Sequence, residues 1–164
     1  MSTLRRPAYD DDFFAWTQDQ AAALRALPPA AVGNSVDVAN IAEEIEDLGK
    51  RDIREVESYL RQVLTHLLKL AAMPHAQERA HWLAEIEEFQ ARAAETFKPS
   101  MSQLVDLERA WSLAKRSATT VVAEMDGANL DAPAACPFGL EELVAENFDA
   151  RAAQMRVMRA GPRP

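Results

Sequence analysis

The sequence is poor in the residues that usually announce a chemistry. It holds one cysteine, Cys136, so no intramolecular disulfide can form, and no zinc-ligand spacing is present. Glycine is scarce at five residues, and neither a phosphate-cradling Gly-rich loop nor a nucleophile elbow occurs. No apolar run is long enough to span a bilayer. Arg5 and Arg6 are followed by Tyr9-Asp10-Asp11-Asp12 rather than an apolar stretch, so no signal peptide or membrane span is read. Basic residues number 18 against 26 acidic ones, a net charge of −8, and they are dispersed among acids. Such a chain repels phosphate backbones and anionic headgroups, so neither nucleic acid nor a membrane is an expected partner. The cytoplasm is the expected compartment.

What is abundant favours helix. The apolar fraction is 48% and the charged fraction 27%, a globular balance. Ala, Leu, Glu, Arg and Gln, all strong helix formers, dominate. The length suits one domain over residues 1–164 with a single core.

Four long helical segments follow from the apolar spacing. The first runs from Asp10 to Leu27, with Phe13, Thr17, Leu24 and Leu27 in helical register and Trp16 beside them. Asp10, Asp11 and Asp12 complement the positive end of its dipole, and Pro28-Pro29 stops it. After a linker at Val32-Gly33-Asn34-Ser35 comes the dominant element, about Asp37 to Ala72. At 100° per residue Val38, Ile41, Ile45, Leu48, Val56, Leu60, Val63, Leu67 and Leu70 fall on one arc. On the opposite face Glu46–Lys50, Asp47–Arg51, Arg51–Glu55 and Glu57–Arg61 are spaced to pair. Gly49 permits two readings: a break with Asp52 and Glu55 as a capping box, or a continuous helix that a neighbour approaches closely at the glycine. The unbroken apolar phase favours continuity. Asp52 then sits near the middle of an apolar face and needs a partner.

Met73-Pro74-His75 ends this helix, and a third runs from about Gln77 to Phe97, burying Trp82, Ile86, Phe89, Ala93 and Phe97. After Lys98-Pro99-Ser100, with Ser100 as a cap, the fourth is expected over Met101–Met125 with a seam of Leu104, Leu107, Trp111, Ala114, Ala118, Val121 and Met125. Asp126-Gly127-Ala128-Asn129 closes it, and a loop reaches Gly139. A shorter helix is expected from Leu140 to about Phe148, with a continuation toward Met158 left open, and the tail, residues 149–164, is read as partly disordered. The short breaks imply antiparallel neighbours. The expected fold is an all-α antiparallel bundle of four main helices plus a shorter C-terminal one.

Several phrases carry a resemblance: Tyr9-Asp-Asp-Asp-Phe-Phe-Ala-Trp16, Asn40-Ile-Ala-Glu-Glu-Ile-Glu-Asp-Leu-Gly49, His66-Leu-Leu-Lys69, Trp82 with Ile86, Pro99-Ser100, and Cys136-Pro-Phe leading to Leu140-Glu-Glu. In this order they resemble the bacterial family catalogued as domain of unknown function 29, over about residues 8–148. The resemblance implies an all-α domain and attaches no activity. Members often carry Trp-Pro soon after the final phenylalanine, whereas here Phe148 leads into Asp-Ala-Arg-Ala.

Four polar positions are candidates for a site: His66, Asp52, Glu43 and Glu44. His66 borders the apolar arc, and an antiparallel third helix would bring it near Ala84 or Glu85. A His–Glu pair there can bind a metal or shuttle a proton; more commonly such a histidine donates to a carboxylate and packs its ring. Glu43-Glu44-Ile45-Glu46-Asp47 can be read as paired carboxylates or, more simply, as a solvated face. Glu78-Arg-Ala-His81 has the Glu-x-x-His form of di-iron bundles, but such a centre needs two of them, and His81 falls opposite Trp82 and Phe89. Cys136, close to the start of a helix at Leu140, could be modestly activated, or simply pack as a small hydrophobe. No cofactor is implied. The expected function is a non-enzymatic helical interaction module that self-associates or binds a protein partner, with Leu68, Leu83 and Leu113 as apolar residues one bundle is not expected to cover. The alternative is a small metal-binding or acid/base bundle using His66 with neighbouring carboxylates.

Overall fold

The computed structural model of the chain describes residues 9–33, 35–126 and 129–161. The signal-peptide reading at the N-terminus, Asn34 in the linker, Gly127-Ala128 and the last three residues of the tail lie outside them. The described residues form six α-helices and no strand: α1 (Phe13–Arg25), α2 (Val38–Ala72), α3 (Arg79–Thr96), α4 (Leu107–Asp126), α5 (Leu140–Leu143) and α6 (Ala150–Ala160), with single 3-10 turns at Pro29–Ala31 and Pro99–Met101. The fold is all-α. No described helix is long and apolar enough to cross a membrane.

The chain divides into two compact units, residues 1–54 with 98–104, and residues 55–97 with 105–164. In the first, the Asp12 carboxylate accepts from the Ala15 N–H and caps α1, as the acidic start implied. Asp37 does the same for the Asn40 N–H at the start of α2. Phe14, Thr17 and Ala21 form the buried line of α1, and Ala42 and Gly49 that of α2. The two helices run antiparallel, since Arg25 bonds Glu46 at 2.6 Å while Thr17 and Phe14 meet Gly49. The helix does not break at Gly49. A Cβ there would overlap the Thr17 hydroxyl and lie 3.0 Å from the Phe14 ring, so the glycine is what allows the close approach.

In the second unit α2 is buried on most sides: Val56, Leu60, Val63, Leu64, Leu67, Leu68 and Leu70 are fully enclosed. As α2 rises from Tyr59 through His66 to Lys69, its partners on α3 fall from Arg92 through Glu85 to Trp82, an antiparallel pair. Trp82, Ile86 and Ala93 are buried as expected. Gln90 joins them because its amide donates to the Leu143 and Ala145 carbonyls, holding α5 down. Gln154 of α6 likewise donates to the Leu70 carbonyl and accepts from Arg79. On α4, Trp111 is buried with its indole N–H on the Pro133 carbonyl.

Several boundaries differ from the sequence expectation. The fourth helix begins at Leu107, not Met101: Asp106 accepts from the Arg109 N–H and starts it, while Ser100 bonds Asp12 instead of capping. Leu104 and Met125 are exposed rather than in the seam, and Val122 replaces Val121 as the buried residue. The C-terminal helix is two helices, α5 and α6, separated around Phe148, where Asp149 caps α6. Of the residues expected to be uncovered, Leu68 is fully buried, whereas Leu83 and Leu113 are half-buried. Exposed apolar side chains occur in both units: Tyr9, Leu27, Val36, Ile41, Leu48 and Leu104 in the first, Met125, Met155 and Met158 in the second.

Candidate functional site

Of the four sequence candidates, His66 is the one that is buried. It stands on α2 of the second unit, its side chain 10% exposed, with Nε2 3.1 Å from Glu85 Oε2 on α3. Lys69 Nζ, one turn on, is 3.3 Å from His66 Nδ1. His81 Nε2 reaches the same Glu85 oxygen at 3.4 Å from the solvent side, with its own side chain 69% exposed. The arrangement assigns the proton to Nε2, which donates to Glu85, and leaves Nδ1 to accept from the Lys69 ammonium.

Aromatic rings close the cluster. The Phe89 ring lies parallel to the His66 imidazole at 6.3 Å, and the Tyr59 ring follows at 6.2 Å from Phe89. Lys69 Nζ sits 4.3 Å from the centre of the Trp82 ring. Burial first, and the Lys69 charge second, hold the imidazole neutral and lower its pKa to about 4, with Glu85 pulling the other way. Burial likewise lowers the Lys69 pKa against the raising influence of Glu85 and Glu78.

This cluster balances charge inside a helix pair: a neutral imidazole bridges a cation and a carboxylate while its ring packs. Two grooves of this unit lie elsewhere, one of about 620 Å³ lined by Ala80, Leu83, Ala84 and Phe148, another of about 540 Å³ lined by Met73, Pro74, His75 and Met125. Among the described residues no three His, Cys, Asp or Glu side chains are grouped as a metal ion requires.

The other candidates do not join His66. Glu43 and Glu44 are exposed and Asp52 is half-buried, all in the first unit and the nearest of them roughly four turns back along α2. Among the described residues no ion pair involves Glu43, Glu44 or Arg51; Lys50 takes both Glu46 and Asp47, and Glu57 accepts from the Asp106 N–H. Glu78 stands exposed before the first turn of α3, so the Glu-x-x-His phrase points two side chains at solvent. Cys136 is not activated. Burial raises its thiol to about 11, opposed by a Phe138 backbone hydrogen bond and reinforced by Glu108 and Glu142, and the four-residue α5 supplies no compensating dipole. Sequence reasoning missed the buried glutamines Gln90 and Gln154, which carry no signal beyond their place near an apolar arc.

No curated protein matches the chain. Among solved structures, a crystal structure of an α-helical protein of unknown function from Rhodospirillum rubrum is similar, with 29% identity and a TM-score of 0.83, covering 95% of this chain and 99% of that one. The model of the family described as domain of unknown function DUF29 matches residues 8–149, and the chain belongs to that family.

Proposed function

We propose that the protein is a non-enzymatic helical interaction module of the cytoplasm, which associates with a second copy or another protein through exposed apolar side chains. One observation carries the reading. Ile41 and Leu48, on the apolar arc of α2, are 42% and 38% exposed, and Leu27 and Val36 are exposed too. Leu24, Leu27, Val36 and Val38 line a groove of about 410 Å³. Apolar residues gathered at the surface favour association because contact removes them from water. The alternative, a metal or acid/base site at His66, is weakened by the packing of that imidazole under Phe89 and by its neutral bridging role.

Light scattering from low to high concentration tests the reading, and a rise in mass is expected. Metal analysis of protein purified without a His-tag is the companion measurement. A strict monomer carrying stoichiometric metal that is lost in His66→Ala would overturn the reading in favour of the alternative.

A further inference from the structure

Ile41 and Leu48, exposed on α2 of the first unit, lie on one side of the α1–α2 hairpin. On α2, Ala42 and Gly49 face α1, and the stripe Ile41, Ile45 and Leu48 is centred about 80° around the helix from them at 100° per residue. Spacings of three and four residues make it a coiled-coil seam. On α1, whose buried line centres on Thr17, Phe13 and Trp16 lie to the same side once its antiparallel direction is taken into account, and Leu27 continues that side just beyond the helix end. Phe13 and Trp16 stack at 5.8 Å and are half-buried, while Leu27 is exposed. The hairpin thus sets the apolar stripe of α2 beside an aromatic cluster on α1, where the Tyr9 ring packs edge-on against Phe13 and Trp16.

Resting on the interaction reading above, we propose that this face binds the same face of a second copy, two-fold and antiparallel, so that two hairpins complete a four-helix bundle. Charge selects both the partner and the direction. The flank of the α2 stripe away from α1 carries Glu44 and Arg51, both exposed, seven residues apart, and in no ion pair among the described residues. In an antiparallel pair with Ile45 packed on the partner's Leu48, each Glu44 faces the partner's Arg51, and the two-fold axis makes the pairing twice. In a parallel pair Glu44 would instead meet the partner's Gly49, which has no side chain and is buried against α1. The 13-residue α1 makes the face about 20 Å long, and two helices about 10 Å apart make it about 20 Å wide. That face is smaller than those of standard stable complexes, so association is weak and concentration-dependent.

Sedimentation equilibrium of the full chain, with circular dichroism as the folding control, tests the proposal. Wild type is expected to form dimers. Leu48→Glu, at an exposed position, should keep its helicity and weaken the dimer by about a hundredfold or more. Glu44→Arg and Arg51→Glu should each weaken it about tenfold by turning two attractions into repulsions, and the double exchange should restore it to within about threefold. A wild type that stays monomeric at every concentration overturns the proposal. Dimers as tight in Leu48→Glu as in wild type, or double exchange no better than the single ones, also overturn it; the protein then associates through another surface, and the broader reading survives.

Discussion

The two halves of α2 share one apolar phase and live in different surroundings. Before Arg54 the helix has one buried line, Ala42 and Gly49, facing α1, while Ile41 and Leu48 remain at the surface. After Glu55 almost every turn is enclosed: Leu64, Thr65, His66 and Leu68 are buried along with the expected Val63 and Leu67. Hydrophobic periodicity states which face of a helix prefers to leave water. It does not state how many neighbours arrive to cover it. One half is therefore a core helix and the other a hairpin arm with a free apolar side.

Substitutions that treat the halves alike should expose this difference. Leu67→Ala in the enclosed half should lower unfolding free energy by about 2–5 kcal/mol, because a fully buried leucine leaves a cavity that its neighbours fill only partly. Urea denaturation checks it. A loss no larger than that of Leu48→Ala would erase the comparison.

The next effect depends on pH. His66 is kept neutral in the fold with its pKa lowered to about 4, whereas the unfolded imidazole titrates near 6.5. Between these values the unfolded chain takes up a proton that the native state refuses, so stability falls with falling pH from about 6.5 to about 4 and is fully present above that window. The share due to His66 is at most about 3 kcal/mol. Urea midpoints of wild type and His66→Gln, compared at pH 7 and pH 5, read it as a difference; equal pH responses would remove His66 as the source.

A smaller effect is expected in the first half. Gly49→Ala gains about 1 kcal/mol of helix propensity but forces a methyl group onto Thr17 and Phe14, and overpacking costs about 1–3 kcal/mol. The net expectation is a loss of about 1 kcal/mol; Thr17→Ser in the same background should recover part of it by removing the methyl that limits hydroxyl movement. Smallest of all, Leu48→Ser at concentrations too low for association should change stability by less than about 0.5 kcal/mol. A loss as large as that of Leu67→Ala would show that the exposed side of the hairpin is covered after all.

Much of the fold was legible before any coordinates. Proline pairs, acidic caps and apolar spacing placed the long helices, because these are local preferences that each stretch carries with it. The antiparallel hairpin placed His66 near Ala84 or Glu85, and it is Glu85 that stands 3.1 Å away. Where helices actually begin was less legible. Met101 and Leu104 fit the seam of the fourth helix in spacing, yet Asp106 starts that helix and Met101 is buried in a 3-10 turn instead. Phe148 reads as helix and stands in a break, because Asp149 offers its carboxylate to the Arg151 and Ala152 N–H groups and caps a new helix there.

The candidate site shows the same division. His66, a border residue in the sequence, gains its neutral state from burial and the Lys69 charge, and its bridge from Lys69 and Glu85 meeting its two ring nitrogens. Cys136 left two readings, a modestly activated thiol or a small packed hydrophobe, and the burial that raises its pKa fits the second. Gln90 and Gln154 become buried because distant carbonyls, those of Leu143, Ala145 and Leu70, need their amides.

By itself the sequence determined that the chain is helical, where most of its long helices lie and to which family it belongs, and it favoured an unbroken α2 through Gly49. Those follow from short-range spacing and from residue order. Only the tertiary structure decided which stretch of the apolar arc is covered, which polar groups are buried with partners, and which side of the α1–α2 hairpin stays open. Those depend on groups far apart in sequence meeting in space, and no local pattern records that meeting.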